Sequence, residues 1–367
     1  MSSQLFSPLT LGRQTLSNRI VVSPMCQYSA HDGCASQWQL KHLATLAGSG
    51  AGLVLIEATG VLRSGRITHG CLGLYSDDNE LALGQVLAFC RQAGAAHFGI
   101  QLNYAGRKGS SQVPWLGGKP LTAAEDAWPT LSSSDTPDGR SRACTHEDLA
   151  HIKQAFVAAA QRAVRLGIDV IELHGAHGYL LHQFLSPLAN RRTDDYGGSL
   201  DRRMRYPLEV FEAVRKAIPA SVTLGLRLSA TDWLPDGLTL EESTVFVQAL
   251  EALGCDFVDI SSGGIAPAEI PLEPGYQVHL ASHIKAAVSM PVIAVGLILT
   301  AEQAEAIVAR GQADAVALGR AFLHNPHWAY QAALDLGAVA QHPVQYERVN
   351  PAKWAGGLVP AVSPAAR

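Results

Sequence analysis

Short apolar runs alternate with longer amphipathic segments along most of the chain. The short runs are rich in Val, Ile and Leu, which is typical of strands buried on both faces in a parallel sheet. The longer segments repeat apolar residues three and four positions apart, as in helices with one buried side. The predicted strands are residues 20–24, 53–58, 98–102, 170–173, 222–228, 257–261, 292–295 and 315–318. The predicted helices are residues 38–47, 81–93, 147–166, 202–218, 240–253, 278–287, 301–309 and 327–336.

Eight strand–helix units predict an α/β fold, a single closed (β/α)8 barrel of the TIM type, because a doubly wound sheet seldom needs so many. We expect this barrel and a C-terminal arm in residues 1–348, and an extension in residues 349–367. Two long segments interrupt the pattern, residues 110–145 after the third strand and residues 262–276 after the sixth. Both are expected on the carboxyl face of the barrel, where loops form the active site.

Charge and composition argue against several classes of protein. The chain has 367 residues and a formal net charge of -4, with both signs interspersed. No basic face therefore predicts a nucleic-acid partner, and no polybasic run predicts a membrane surface. No apolar run is long enough to span a bilayer, and the N-terminus lacks the apolar core of a signal peptide, so we expect a cytoplasmic protein. The six cysteines are scattered without the spacing of metal ligands, so no metal site is predicted.

The end of the fourth predicted strand carries the densest candidate chemistry. His174, His177 and Tyr179 follow it, separated by glycine and alanine residues that let the backbone turn sharply. One such histidine alone is better explained as a helix cap or a half-buried structural residue. Two histidines and a tyrosine at one strand end favour a binding site instead.

Other strand ends supply complementary groups. Gln101 ends the third strand, and Arg227 lies in the fifth. Gly296, Gly319 and Arg320 follow the last two strands, where barrels commonly bind phosphate. The alternative is that Gly319 only makes a turn and Arg320 is a surface charge. Together with the two histidines, these groups predict a planar heterocycle with a phosphate tail.

A resident dinucleotide is not expected. The glycine-rich run at residues 48–52 precedes a strand, whereas the dinucleotide-binding fingerprint follows one. A pyridine nucleotide is therefore expected as a transient substrate of the site.

Six sequence motifs connect the chain to a known family. They are SPMCQY at residues 23–28, GRITHG at 65–70, AGRK at 105–108, HGAHGYLLHQFLSP at 174–187, NRRTDDYGGS at 190–199 and LGR at 318–320. With these motifs, residues 5 to about 348 resemble the Old Yellow Enzyme family of FMN-dependent ene-reductases, specifically its shorter, bacterial thermophilic-like branch. The resemblance implies tightly bound FMN, NADPH as the hydride donor, and an α,β-unsaturated carbonyl or nitro compound as the small-molecule substrate.

The resemblance also implies roles for individual residues. His174 and His177 would bind the substrate's oxygen, while Tyr179 would be the proton donor. Tyr28 would line the substrate face, and Arg348 would reach the substrate pocket of a neighbouring subunit in a homodimer or dimer-based tetramer. The implied FMN-binding residues are Ser23, Pro24, Met25, Cys26, Ala58, Gln101, Arg227, Gly319 and Arg320, to which the phosphate argument adds Gly296.

Some positions have competing explanations. Cys26 would tune the potential of FMN or serve only as a small buried apolar residue, and Tyr179 would be the proton donor or only pack beneath its loop. Arg348 would serve a partner subunit or be an exposed tail residue. Tyr104 stands where the family commonly has a histidine, which is a departure from the family pattern.

Two other functions compete with the ene-reductase. A dienoyl-CoA-reductase-like barrel would add cluster-binding cysteines, and the sequence shows none with suitable spacing. A barrel that only stores or senses flavin would share the same motifs and differ in turnover.

Overall fold

Eight parallel strands close into a barrel in the computed structural model, which describes residues 3–349, 353 and 354. The barrel closes where Val316 in the last strand pairs with Ile20 in the first. The strands in chain order are β1 (Leu9–Leu11), β2 (Gln14–Leu16), β3 (Ile20–Val22), β4 (Leu53–Gly60), β5 (His97–Asn103), β6 (Thr130–Ser132), β7 (Ser141–Ala143), β8 (Val170–Gly175), β9 (Thr223–Ser229), β10 (Phe257–Ser261), β11 (Val292–Val295) and β12 (Ala315–Leu318). Strands β3, β4, β5 and β8 to β12 form the barrel, which confirms the predicted fold.

Helices follow the barrel strands. In chain order they are α1 (Gln37–Ala47), α2 (Asp77–Ala93), α3 (His146–Arg165), α4 (Leu180–Leu185), α5 (Leu200–Ala217), α6 (Leu240–Ala252), α7 (Val278–Lys285), α8 (Ala301–Ala309), α9 (Arg320–His324) and α10 (Trp328–Asp335). The eight predicted helices correspond to all of these except α4 and α9, which the sequence pattern did not predict. Among the described residues, no helix has both the length and the apolar composition needed to cross a bilayer.

A hairpin of β1 and β2 covers the amino end of the barrel and was not predicted. Leu9, Leu11 and Leu16 of the hairpin pack in one buried cluster with Val21 and Leu53 of the barrel strands. Burying these leucines excludes water from one end of the barrel interior. The carboxyl end therefore remains the open end.

The two predicted insertions lie at the carboxyl end. In residues 110–145, β6 pairs with β7, and Trp115 places its ring edge-on against Tyr28 with 6.0 Å between ring centres. In residues 262–276, Gly264 packs directly against the backbone of His177. Both segments therefore contribute to the surroundings of the strand-end residues.

The predicted arm ends at residue 348, within the last helical segment that the structure describes. The segment Val344–Val349 forms a 3-10 turn. Apart from residues 349, 353 and 354, the predicted extension 349–367 lies outside the described residues.

Candidate active site

A cavity of about 360 Å³ opens at the carboxyl end of the barrel. It is lined by every predicted site residue except Arg348, and by apolar residues of the segments that follow β11 and β12. The predicted residues that line it are Ser23, Pro24, Met25, Cys26, Tyr28, Ala58, Gln101, His174, His177, Tyr179, Arg227, Gly296, Gly319 and Arg320.

Two histidines and a tyrosine stand together on one side of this cavity. The ring centres of His174 and His177 are 5.2 Å apart, and those of His174 and Tyr179 are 4.7 Å apart. Burial, reinforced by the charge of Arg227, lowers the pKa of both histidines well below the usual range. Burial raises the pKa of the Tyr179 phenol well above its usual range. At neutral pH the group therefore consists of two neutral imidazoles and a protonated phenol.

The hydrogen bonds of the two imidazoles constrain where each carries its proton. The backbone N–H of Ala176 donates to Nδ1 of His174 over 3.3 Å, which leaves the proton of that neutral ring on Nε2. Nε2 of His177 lies 2.7 Å from Oγ of Ser261. The single proton of the Ser261 hydroxyl can go to this nitrogen or to Oε1 of Gln277, 3.4 Å away. His177 carries its own proton on Nδ1 in the first case and on Nε2 in the second. With Ser261 donating to His177, each ring has one N–H to offer to a ligand.

The loop that carries His177 has an unusual backbone conformation. His177 has a φ of 58° and Gly178 a φ of 76°, both in the left-handed region. A side chain at Gly178 would place Cβ only 2.3 Å from the carbonyl oxygen of Gly264. The His177 N–H donates to Oγ of Ser229 over 3.0 Å, and Nζ of Lys108 donates to the His177 carbonyl over 2.7 Å. These contacts hold the strained conformation in place.

A buried histidine–carboxylate contact fixes the next turn of the same loop. The N–H of Gly178 donates to Nδ1 of His182 over 2.9 Å, and Nε2 of His182 lies 3.0 Å from Oδ1 of Asp232. Both side chains of this pair are fully buried. Because α4 begins at Leu180, the pair holds the segment that contains Tyr179 against the barrel.

The segment after β3 is also fixed by a buried acid. The N–H of Gln27 donates to Oε2 of Glu57 over 2.9 Å, and burial raises the pKa of Glu57 to about 7. Tyr28 has a left-handed φ of 50°, and a Cβ at Gly70 would lie 2.2 Å from its carbonyl oxygen. Burial also raises the pKa of the Cys26 thiol. Cys26 therefore faces the cavity as a neutral thiol.

Gln101 and Arg227 give the inner part of the cavity an amide and a permanent positive charge. Nη1 of Arg227 donates to Oγ of Ser23 over 3.3 Å, while its buried Nε has no hydrogen-bond partner among the described residues. A buried guanidinium that lines the cavity suits the carbonyl- and nitrogen-rich edge of an isoalloxazine. The residues present here fit FMN.

The outer part of the cavity suits a phosphate. Gly296 has a φ of 117°, and a side chain there would place Cβ 2.4 Å from Nε2 of Gln277. Gly319 and the exposed Arg320 begin the short helix α9 after the last strand. Barrels commonly bind phosphate in this position, between the loops after the last two strands and a short extra helix.

Several contributors to the site were not predicted. Ser261 and Ser229 are ordinary residues of their strands, and nothing in the sequence marks their contacts with His177. Lys108 was noted only as the last residue of the AGRK motif, and its contact with the His177 carbonyl was not predicted. Tyr104, at the position that departs from the family pattern, does not line the cavity. Its buried ring packs on Gly65, so it acts as a packing residue.

Arg348 lies away from the cavity of its own chain. The neighbouring Val344 and Gln345 line a second cavity with Gly48 and Gly94, at the carboxyl ends of α1 and α2. Helices of a barrel run opposite to its strands, so this second cavity is at the amino end. Any contact of Arg348 with the active site therefore requires another subunit.

Comparisons with known proteins agree on one family. Residues 4–337 match the model of the NADH:flavin oxidoreductase / NADH oxidase family. An NADPH dehydrogenase of Geobacillus thermodenitrificans (strain NG80-2) is 45% identical over 350 residues, which cover 95% of this chain and 99% of that protein. An NADPH dehydrogenase of Geobacillus sp. (strain WCH70) is 41% identical over 350 residues, with the same coverage.

Solved structures give a consistent result. Morphinone reductase in complex with tetrahydroNAD superposes with a TM-score of 0.74 at 26% identity, covering 95% of this chain and 93% of that one. A 2-naphthoyl-CoA reductase superposes with a TM-score of 0.81 at 25% identity, covering 91% of this chain but only 52% of that one. The chain thus matches morphinone reductase over nearly its whole length and the CoA-ester reductase over about half.

Proposed function

The chain belongs to the NADH:flavin oxidoreductase / NADH oxidase family, and we propose that it uses FMN and NADPH to reduce the activated C=C bond of α,β-unsaturated carbonyl compounds. Nitro compounds are a second substrate class, because a nitro oxygen accepts the same hydrogen bonds. The observation that carries the proposal is the cluster of His174, His177 and Tyr179 beside the residues that fit FMN.

FMN and NADPH are the cofactors of this family, and the inner residues of the cavity would hold FMN. When bound, FMN supplies a carrier that accepts a hydride from NADPH and passes it to the β-carbon of the alkene. The guanidinium of Arg227 would stabilise negative charge on the bound flavin. Gln101, which lines the same cavity, would help to hold its ring system.

His174 and His177 bind the carbonyl or nitro oxygen of the substrate. Their N–H groups belong to neutral rings, so they donate hydrogen bonds without giving up a proton. Those bonds strengthen as negative charge grows on the oxygen in the transition state. The same donors suit the carboxamide oxygen of a nicotinamide, so NADPH and the alkene would use the site in turn, in a ping-pong cycle.

Tyr179 delivers the proton that completes the reduction. Its phenol stays protonated at neutral pH because burial raises its pKa. From Oη the proton passes to the α-carbon of the substrate while the hydride reaches the β-carbon. Lys108, with Nζ 5.7 Å from the centre of the Tyr179 ring, places a positive charge next to the phenolate that results.

Turnover distinguishes this enzyme from a barrel that only stores or senses flavin. We expect steady NADPH consumption that increases when 2-cyclohexenone is added, with one saturated ketone formed for each NADPH consumed anaerobically. FMN binding with no enone-stimulated consumption would support the storage protein and reject the ene-reductase.

Replacing Cys26 with alanine should shift the midpoint potential of FMN and change the rates of both half-reactions. The reason is that a neutral, polarizable thiol borders the cavity beside Ala58 and Tyr28. The measurement is a spectroelectrochemical titration, with Cys90→Ala as the control because Cys90 is buried outside the cavity. An unchanged midpoint potential in the Cys26 variant would show that this residue serves only as a small packing residue.

We also propose a dimer-based oligomer in which Arg348 lines the substrate pocket of a partner subunit. Arg348 is exposed, and its segment carries apolar side chains that the chain itself leaves open: Val344 is 84% and Tyr346 53% exposed. A guanidinium on such an arm stays charged and projects a planar fork.

Ending the chain after Gln341 should raise the Michaelis constant for enones and weaken the oligomer. FMN content should change little, because the arm does not line the cavity of its own chain. Enzyme kinetics and sedimentation measure the two effects, and Arg348→Ala in the full chain separates the loss of the guanidinium from the loss of the arm. A truncated protein with wild-type kinetics and assembly would contradict the proposal.

A further inference from the structure

Three charged side chains lie together inside the barrel, directly beneath the cavity. Glu172 comes from β8, Arg227 from β9 and Asp259 from β10. Both carboxyl groups are fully buried, and Arg227 is 7% exposed. Oδ2 of Asp259 lies 3.4 Å from Nε of Arg227. Two acids therefore share one base in an interior that excludes water.

Their hydrogen bonds are incomplete. Oε1 of Glu172 accepts a bond from Nε2 of Gln101 over 2.7 Å. Oε2 of Glu172 and both carboxyl oxygens of Asp259 have no hydrogen-bond partner among the described residues. The contact of Asp259 with Arg227 is an ion pair whose geometry is not that of a hydrogen bond. Unpartnered ionised oxygens are costly in a dry interior, and a proton on one of them would remove charge and add a donor.

The charges decide which acid holds the proton. Burial raises the pKa of Glu172, and the nearby charge of Asp259 raises it further. Burial raises the pKa of Asp259 too, and the charge of Arg227 opposes the rise in both acids. Only Asp259, however, lies in ion-pair contact with the guanidinium, at 3.4 Å. Glu172 faces a neutral amide on its β5 side, and His174 above it on β8 is held neutral by burial. The arrangement favours ionised Asp259 beside Arg227 and protonated Glu172.

Direct contacts connect Glu172 and Asp259 to residues that line the cofactor cavity. Gln101 lines the cavity and donates to Glu172. Arg227 lines the cavity and pairs with Asp259. Negative charge that arrives in the cavity on reduction of FMN therefore disfavours a second negative charge on the acids below.

We propose that Glu172 and Asp259 share one exchangeable proton, and that it is bound more tightly when the FMN above them is reduced. At a pH where the oxidised protein has begun to lose this proton, reduction draws it back from solvent. Each cycle then balances as follows: while FMN holds the hydride from NADPH, the acid pair holds one extra proton taken from solvent. On reoxidation the hydride goes to the β-carbon of the alkene, and the acid pair releases its proton to solvent. The proposal rests on FMN binding, which an absorption spectrum of the same sample establishes separately.

The test is the pH dependence of the FMN midpoint potential. A tenfold change in proton concentration shifts a two-electron potential by about 30 mV for each proton taken up. There should be a range of pH above neutral in which the oxidised protein has lost this proton and the reduced protein still holds it; we call this range the window. Within it, the wild-type potential should fall by about 30 mV per pH unit more than that of Glu172→Gln. The glutamine amide mimics the protonated acid, so the two potentials should agree below the window. Protonation of the flavin itself contributes equally to both proteins and cancels in the comparison.

Two further variants locate the effect. Asp259→Asn removes the charge that raises the pKa of Glu172, so the steep window should move to lower pH. Glu57→Gln replaces another buried acid, which accepts a hydrogen bond from the N–H of Gln27 in the segment after β3. This variant should keep the wild-type window. Parallel potential curves for wild type and Glu172→Gln over pH 6 to about 10 would overturn the proposal. Loss of the window in Glu57→Gln, with its retention in Glu172→Gln, would also overturn it.

An infrared measurement on the wild-type protein gives a test that needs no stable variant. The reduced-minus-oxidised difference spectrum, recorded within the window, should contain a positive band of a protonated carboxyl group that shifts in D2O. The band should be absent well below the window, where the pair is protonated in both states. If no such band forms at any pH in that range, the proposed proton does not exist.

Discussion

Replacing His174 and His177 together with alanine should weaken phenol binding by at least about a hundredfold, because two hydrogen bonds to a charged oxygen, each contributing about 1.5 kcal/mol or more, are lost. A bound phenolate resembles the enolate that forms during reduction, so its oxygen takes the place of the substrate oxygen. FMN should stay bound, since Gln101, Arg227 and the glycine-lined outer part of the cavity are unchanged.

The measurement is a titration of the long-wavelength charge-transfer absorbance that a phenolate produces over oxidised flavin. A matched control is His151→Ala, because His151 is exposed on α3 and lies outside the cavity. Unchanged phenol affinity in the double variant would show that the two histidines do not bind the substrate oxygen.

Tyr179→Phe should slow reduction of 2-cyclohexenone by about a hundredfold to ten-thousandfold while the reduction of FMN by NADPH keeps its rate. The ring and its contact with His174 remain, so the change removes only the proton donor. Because burial raises the pKa of Tyr179 and lowers that of both histidines, these three groups should keep their protonation states from about pH 6 to 9. Burial lowers the pKa of Lys108 to about 8, so the wild-type rate with enone should fall above that pH as the positive charge beside Tyr179 is lost.

Rapid-mixing absorbance records the two half-reactions separately. Tyr104→Phe is the control, since Tyr104 is a buried tyrosine that does not line the cavity. An enone rate within a few-fold of wild type in the Tyr179 variant would assign the proton to another donor, such as water.

The strands and most helices could be predicted because their periodicity reflects burial. Helix α8 begins and ends where the pattern placed it, at residues 301 and 309. Helix α4 was missed because all its side chains are buried, so it has no amphipathic pattern to detect. The β1–β2 hairpin was missed because strands of three residues are too short to show an alternation.

The site could be predicted because the carboxyl ends of the parallel strands lie at the same end of the barrel. Gln101, His174 and Arg227 come from three strands far apart in sequence, yet their strand-end positions place them in one cavity. The contact of Ser261 with His177 spans 84 residues and leaves no local signal. The roles of individual residues came from the family resemblance, and the role proposed for Arg348 would require a partner subunit.

The most direct test of the central claim is an anaerobic titration followed by visible absorption. One equivalent of NADPH should bleach the bound FMN, and one equivalent of 2-cyclohexenone should then restore its colour and yield one equivalent of cyclohexanone. That result requires a single cavity that receives the two substrates in turn. Bleaching by NADPH that the enone cannot reverse, with no saturated ketone formed, would contradict the account.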